Sequence, residues 1–386
     1  MFAVMPWFFS VLRRVKPVAK IGNMVLTSRY DDVREVFAND QAFGVVYQPK
    51  LDIIMGGEPF FLGMGDTPRY RHDTDVMRKV VVADDLPRLA KEVETRAGAI
   101  VASADGRIEV VDALVRRVTF DVLADYFGVP GPVEGDLRVW ATRLFEFQFA
   151  DQVNDPALRA EVDRIGPALR AHIDTTIAQR HNASFKDDVL GRCLERQKAG
   201  ESGFSDVQIR TALMGFIVGG PPQPPMVVPQ AMEQLLRRPR ALAEAQSAAR
   251  ADDDERLRRY VFEAMRFDPL APGLPRVALQ DWTIATGTRH ATLVTAGTQV
   301  LAAFASAMMD PRRVADPKRF DSERPDSDYI HFGHGLHQCF GRHINRATLH
   351  LMLKPLLKTH LRRAPGREGR LRKRGAFADR LVVLFE

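Results

Sequence analysis

The segment FGHGLHQCFG, from Phe332 to Gly341, places one of the chain's two cysteines in a loop with three glycines. A run with helical spacing, GRHINRATLHLMLKPLLK, follows it directly. Sulfur at the start of a helix meets unpaired backbone N–H groups and the positive end of the helix dipole, which favour thiolate over thiol. A thiolate held this way serves as a metal ligand or a nucleophile, and no obvious base stands beside it for nucleophilic work. Two other uses remain open. Cys339 could be a buried free cysteine in a glycine-rich turn, or part of a zinc site with His331, His334 and His337. Against zinc, one loop seldom supplies all four tetrahedral ligands, and no CxxC or HExxH partner occurs elsewhere.

Other residues could carry charge into a site. Glu263 and Arg266 stand three apart in YVFEAMRFDP and would share one helix face, where a plain surface salt bridge is the common outcome. Arg276 follows in PRVALQD, and DTPRYRHDTDVMRKVV supplies His72 and Arg78. Gly219 and Gly220 lie in the apolar run IVGGPPQPPMVV, followed by prolines at 221, 222, 224 and 225. Proline removes a backbone donor and clashes with the preceding turn, so this spacing predicts a kink or an unwound turn.

The cysteine loop fits F-x-x-G-x-[HR]-x-C-x-G, with Phe332, Gly335, His337, Cys339 and Gly341 at the fixed positions. In this it resembles the haem-ligand signature of the cytochrome P-450 family. The resemblance implies haem b (heme, iron protoporphyrin IX), with Cys339 as the metal ligand, Phe332 packed beside the sulfur and His337 against a haem propionate. Gly335 and Gly341 would let the backbone approach the ring. Glu263 and Arg266 match the family's E-x-x-R, a structural keystone closed by a third polar residue before the cysteine loop. FDSERP, which contains Arg324, lies where that residue belongs. The resemblance gives Arg276 to a propionate, and offers His72 and Arg78 for the same purpose, although their spacing departs from the usual pattern. The fold it implies is predominantly α with a minor β portion, the P-450 fold enclosing haem, as a single domain over residues 1–386.

The chain departs from the family in its central helix, which usually carries [AG]-G-x-[DE]-T to relay protons during oxygen activation. Gly219 and Gly220 match the small residues, but Pro222 replaces the acid and Gln223 the alcohol. Proline has no proton to relay, and an amide is no general acid near neutral pH. Three functions therefore stand. The first is a monooxygenase hydroxylating a hydrophobic small molecule, with electrons from a ferredoxin or flavodoxin and a water positioned by Gln223. The second is a peroxygenase or hydroperoxide isomerase using a pre-formed O–O bond. The third is a catalytically silent haem-binding protein.

The elements that must position these residues read as mostly helical. Helical spacing runs from Asp85 to about Ser205, then from Ser205 to Arg238 across the prolines, and again over Asp254–Phe267. MVLTSRYDDVREVFAND reads as a strand followed by a helix, and RVALQDWTI, TQVLAAF and RLVVLF as strands. Tyr47, Ile53, Ile54, Phe61, Phe145, Phe149, Leu270, Leu274 and Phe377 are candidates for an apolar substrate pocket or for ordinary core.

Composition is that of a globular protein, with 45% hydrophobic and 27% charged residues. Two cysteines argue against a disulfide framework and fit a reducing cytoplasm. A net charge of +6 without a basic–aromatic stripe gives no reason to expect nucleic acid. Arg69, Arg71, Lys79, Arg342 and Arg346 could meet an acidic electron-transfer partner. The apolar start MFAVMPWFFSVL, interrupted by Pro6, is too short to span a bilayer, so it reads as a short element packed on a monomeric body, with peripheral membrane contact not expected.

Overall fold

The computed structural model describes residues 5–386. The chain forms two compact units. One comprises the chain up to Val46 together with Gln230–Arg342; the other comprises Tyr47–Pro229 and His343–Glu386.

The first unit carries the larger sheet. Its strands run in the order Val18–Ile21, Met24–Thr27, Gln299–Ala302, Leu274–Ala278 and Phe43–Val45. Met24–Thr27 pairs parallel with Gln299–Ala302, and the other pairings are antiparallel. Alternation selects what each strand buries: Val18, Val25, Val300 and Ala302 enter a core with Val33, Val36 and Phe37 of the helix Tyr30–Ala38. The reading RVALQDWTI divides here. Leu274–Ala278 joins the large sheet, whereas Trp282–Ile284 makes a separate hairpin with Thr292–Val294. The helix Asp254–Phe267 begins where its signals place it. The Asp253 carboxylate accepts from the Arg256 N–H, acids occupy the first turn and Arg266 the last.

A buried carboxylate in this unit has a measurable consequence. Asp32, on the Tyr30–Ala38 helix, is raised to about 6, chiefly by burial; Arg29 opposes the shift, while Glu35, Asp31 and Asp310 add to it. A charge in a helix's first turn gains about 0.3–1 kcal/mol, less than burial costs here. Because the folded form binds the proton more tightly, stability falls as pH rises from about 4 to 6. Asp32→Asn is expected to stabilise the protein at pH 7 by about 1–3 kcal/mol, with the gain vanishing below about pH 4. Thermal unfolding of both forms across that range checks this; an equal difference at pH 4 and pH 7 would refute it.

The second unit is mainly helical, with Pro68–Arg78, Leu86–Ala102, Arg117–Phe127, Leu137–Phe145, Pro156–His181, Val189–Lys198 and Asp206–Gly219 as its longer helices. The segment RIEVV, which helical spacing assigns to a helix, instead supplies the strand Arg107–Glu109 before turning into one. The strand pairs with Val382–Leu384, which also pairs with Arg362–Arg363. The Glu109 carboxylate then accepts N–H bonds from Val111, Asp112 and Ala113, capping the next helical turn. The run after the cysteine loop is also less regular than its spacing suggests. It forms Arg342–Thr348, a 3₁₀ turn over Leu349–Met352, and Lys354–Leu357 restarted at Pro355.

Candidate functional site: the cysteine loop

The loop is held by its own backbone. The Ile330 carbonyl accepts from Gly333 N–H at 3.2 Å, Gly335 from Gln338 at 3.0 Å, and Phe332 from Cys339 at 2.9 Å. Gly333 and Gly335 have φ of +71° and +75°, which side-chain-bearing residues rarely adopt. At Gly335 a Cβ would also stand 2.3 Å from the Phe37 carbonyl oxygen, so glycine is required there on two counts.

The segment before the loop is fixed by a buried polar cluster. Glu263 and Arg266 are fully buried and form a bidentate pair, with Arg266 Nε to Glu263 Oε2 at 2.8 Å and Nη2 to Oε1 at 2.7 Å. Arg324 closes the keystone, its Nε donating to Glu263 Oε1 at 3.2 Å. The Asp321 N–H and the Tyr329 hydroxyl donate to the same carboxylate at 3.0 and 3.1 Å. Burial and the adjacent Glu263 charge push the Tyr329 hydroxyl pKa well up. Both arginines reach the Arg319 carbonyl. A surface pair would be worth little; this one ties the helix Asp254–Phe267 to residues 317–329 and thereby to the loop that follows.

Cys339 presents its sulfur to the Gly341 N–H, and the Arg342 charge lies close by. Both favour thiolate, but burial outweighs them and the thiol pKa is raised. This corrects the expectation that the loop alone makes a thiolate: the helix begins only at Arg342, and desolvation dominates. A cation bound at the sulfur reverses that balance, since a coordinated thiol loses its proton outright. The arrangement suits a metal ligand and disfavours a free nucleophile. Cys193, the other cysteine, is buried in the helix Val189–Lys198, where burial first and Asp188 second push its thiol up to about 12.

The surroundings fit haem. A Cβ at Gly341 would meet nothing within 4 Å, so the backbone two residues after the cysteine borders open space. Phe332 packs on Phe262 with centroids 6.0 Å apart. Arg276 is buried, with its guanidinium over the Phe37 ring. His337 is lowered to about 4, by burial first and by the Arg276 charge second. A buried arginine near a half-buried imidazole is a donor set suited to an anionic edge such as a propionate pair. The zinc alternative finds no support: among the described residues no group of three His, Cys, Asp or Glu side chains could hold a metal. His331 instead bonds the Phe262 carbonyl at 3.0 Å, and His334 faces Arg34 at 3.0 Å.

The remaining candidates lie in the second unit. Gly219 ends the helix Asp206–Gly219, and a new helix starts at Pro224, so the proline-rich stretch does unwind over residues 220–223. The Gly220 N–H still reaches the Phe216 carbonyl at 2.9 Å, while Pro221 and Pro222 have no N–H to continue the ladder. The Gln223 amide N–H donates to the Gly219 carbonyl, so this side chain bridges the break. His72 and Arg78 are both exposed on the helix Pro68–Arg78, His72 at a surface depression with Lys79 and Glu201, and Arg78 near Asp75. Arg69, Arg71 and Lys79 each face a carboxylate, Asp73, Asp66 and Glu201, which offsets their charge locally. Of the apolar candidates, Tyr47, Phe145, Phe149 and Phe377 form one aromatic chain with centroid spacings of 4.9 to 6.3 Å. Ile54 and Phe61 are buried core.

The comparisons with known proteins agree with this geometry. Residues 157–370 match the family model described as Cytochrome P450. The putative cytochrome P450 YjiB of Bacillus subtilis is 26% identical over 366 residues, covering 91% of this chain and 86% of that protein. The erythromycin C-12 hydroxylase of Saccharopolyspora erythraea is 25% identical over 340 residues, covering 85% and 80%. The ligand-free structure of cytochrome P450 TbtJ1 superposes with a TM-score of 0.83 at 24% identity, over 100% of this chain and 98% of that one. Sequence, loop geometry and these likenesses converge: the chain belongs to the cytochrome P450 family of haem-dependent monooxygenases.

Proposed function

We propose that this protein hydroxylates an apolar small molecule, with haem held through Cys339 and its propionates met by Arg276 and His337. The single observation carrying this is the loop that presents the Cys339 sulfur to the Gly341 N–H. When bound, haem supplies the oxidising chemistry; the chain supplies the ligand, the cationic edge and proton management. An apolar substrate is favoured by the Tyr47, Phe145, Phe149 and Phe377 aromatic chain, and a macrolide hydroxylase among the relatives is in keeping with it. Electrons would come from a ferredoxin or flavodoxin.

Proton handling must differ from the usual arrangement. The stretch Gly-Gly-Pro-Pro-Gln-Pro-Pro contains no ionisable side chain. Gln223 spends an N–H on the Gly219 carbonyl, which leaves its oxygen to accept from an ordered water. In this reading Gln223 is a positioning residue and the water carries the proton. Gln223→Ala is expected to lower product formed per NAD(P)H about tenfold, with NAD(P)H consumption maintained and the carbon monoxide spectrum unchanged. Unchanged coupling in that variant would remove Gln223 from the mechanism.

The same stretch also favours a second reading, in which the oxygen donor is a hydroperoxide and no acid–alcohol pair is needed. Turnover with peroxide alone, and none with NAD(P)H plus a surrogate ferredoxin, would select it over the monooxygenase. Failure of both systems across a substrate panel would leave only ligand binding.

A further inference from the structure

The helix Met5–Val15 is apolar on two sides. Its inner side is accounted for: Phe9 packs with Leu26 and Ala303, Leu12 and Leu301 pack against them, and buried Arg13 donates to the Ser306 hydroxyl and carbonyl. These contacts fix which face points outward. Trp7, Phe8, Val11 and Val15 then fall within a ~100° arc of exposed surface, with Trp7 69% and Val15 78% exposed. In the hairpin that follows, Ile21 is also exposed.

The charges that this helix and the following hairpin themselves carry have one sign. The first acidic residue of the chain is Asp31, whereas Arg13, Arg14, Lys16, Lys20 and Arg29 precede it. Arg13 and Arg29 are committed inward, Arg29 to the Arg13 carbonyl and His290. Arg14, Lys16 and Lys20 are exposed. An aromatic and aliphatic stripe accompanied by exposed basic residues on the same segment is the composition of a helix lying in the interface of an anionic bilayer. Among the described residues no helix is long and apolar enough to cross a membrane, so the contact would be peripheral.

We propose that the helix Met5–Val15 docks the protein reversibly on anionic lipid surfaces, with Trp7, Phe8, Val11 and Val15 entering the interface and Arg14, Lys16 and Lys20 meeting the headgroups. This goes against what the short apolar run suggests in sequence, where the same residues read as covered. The test is co-sedimentation of the full-length holoprotein with vesicles of phosphatidylcholine alone or with one-third phosphatidylglycerol. Binding is expected to the anionic vesicles, at least about tenfold tighter than to the neutral ones, and to weaken with added salt. Trp7→Ser with Val15→Ser should weaken it about tenfold, and the triple change Arg14→Gln, Lys16→Gln, Lys20→Gln about a hundredfold. Both sets lie at exposed positions, so the carbon monoxide spectrum should be unchanged. Equal affinity for both vesicles, or no loss in either variant, overturns the proposal. So does a concentration-dependent dimer that the Trp7 and Val15 changes dissolve without any vesicle binding, since the stripe would then belong to a second copy.

Discussion

Replacing Cys339 by Ser is expected to lower turnover by more than about a hundredfold, beyond the 10–100-fold that outer-shell partners of a metal site typically cost. The sulfur is the one soft ligand in the loop. Gly341, its backbone partner, has no side chain. The variant should still fold, because the loop is held by backbone bonds that do not involve the sulfur, such as Cys339 N–H to the Phe332 carbonyl at 2.9 Å. Circular dichroism like that of the wild type, together with lost haem retention and lost turnover, is the expected combination. Retained activity would assign the ligand elsewhere.

The second large effect is structural. Glu263→Ala should destabilise the protein by about 3–5 kcal/mol, the usual consequence of stranding one half of a buried ion pair. Here it strands two arginines and removes the acceptor of Asp321 N–H and Tyr329 hydroxyl at once. Against a typical total of about 5–15 kcal/mol, that loss should sharply reduce the yield of folded protein. Tyr329→Phe, which deletes one hydrogen bond to the same carboxylate, should cost only about 1.5–3 kcal/mol. Arg266→Lys keeps the charge but loses the fork, and should fall between them. Urea unfolding of the holoproteins orders the three variants; a Glu263→Ala protein within 1 kcal/mol of the wild type would reduce the keystone to a surface-type pair.

Much of this site was legible because it is local in sequence. The cysteine loop is ten consecutive residues, the Glu263–Arg266 pair sits on one helix face, and the four prolines announce the break over residues 220–223. Arg324 was legible as a partner from its place before the loop, and the structure gives the bond. What the sequence concealed depends on distant pairing and on exposure. Arg107–Glu109 is a strand because Val382–Leu384 lies beside it, and no periodicity reports a partner so far along the chain. The Cys339 thiol reads as a thiolate from its helix, yet burial, a property of the whole fold, moves it the other way. His72 and Arg78 are basic residues in a promising segment, and the structure places both on the exposed side of the helix Pro68–Arg78. The N-terminal helix is plainly apolar in sequence; only its inner contacts show which apolar residues remain outside.

The central claim is that Cys339 binds haem iron as a thiolate. The carbon monoxide difference spectrum of the reduced wild-type protein tests it most directly. A single band at the position characteristic of thiolate ligation is expected, and it should be absent from Cys339→Ser. A wild-type band of the imidazole-ligated type, or a protein that purifies without haem and cannot be reconstituted with it, would contradict the assignment.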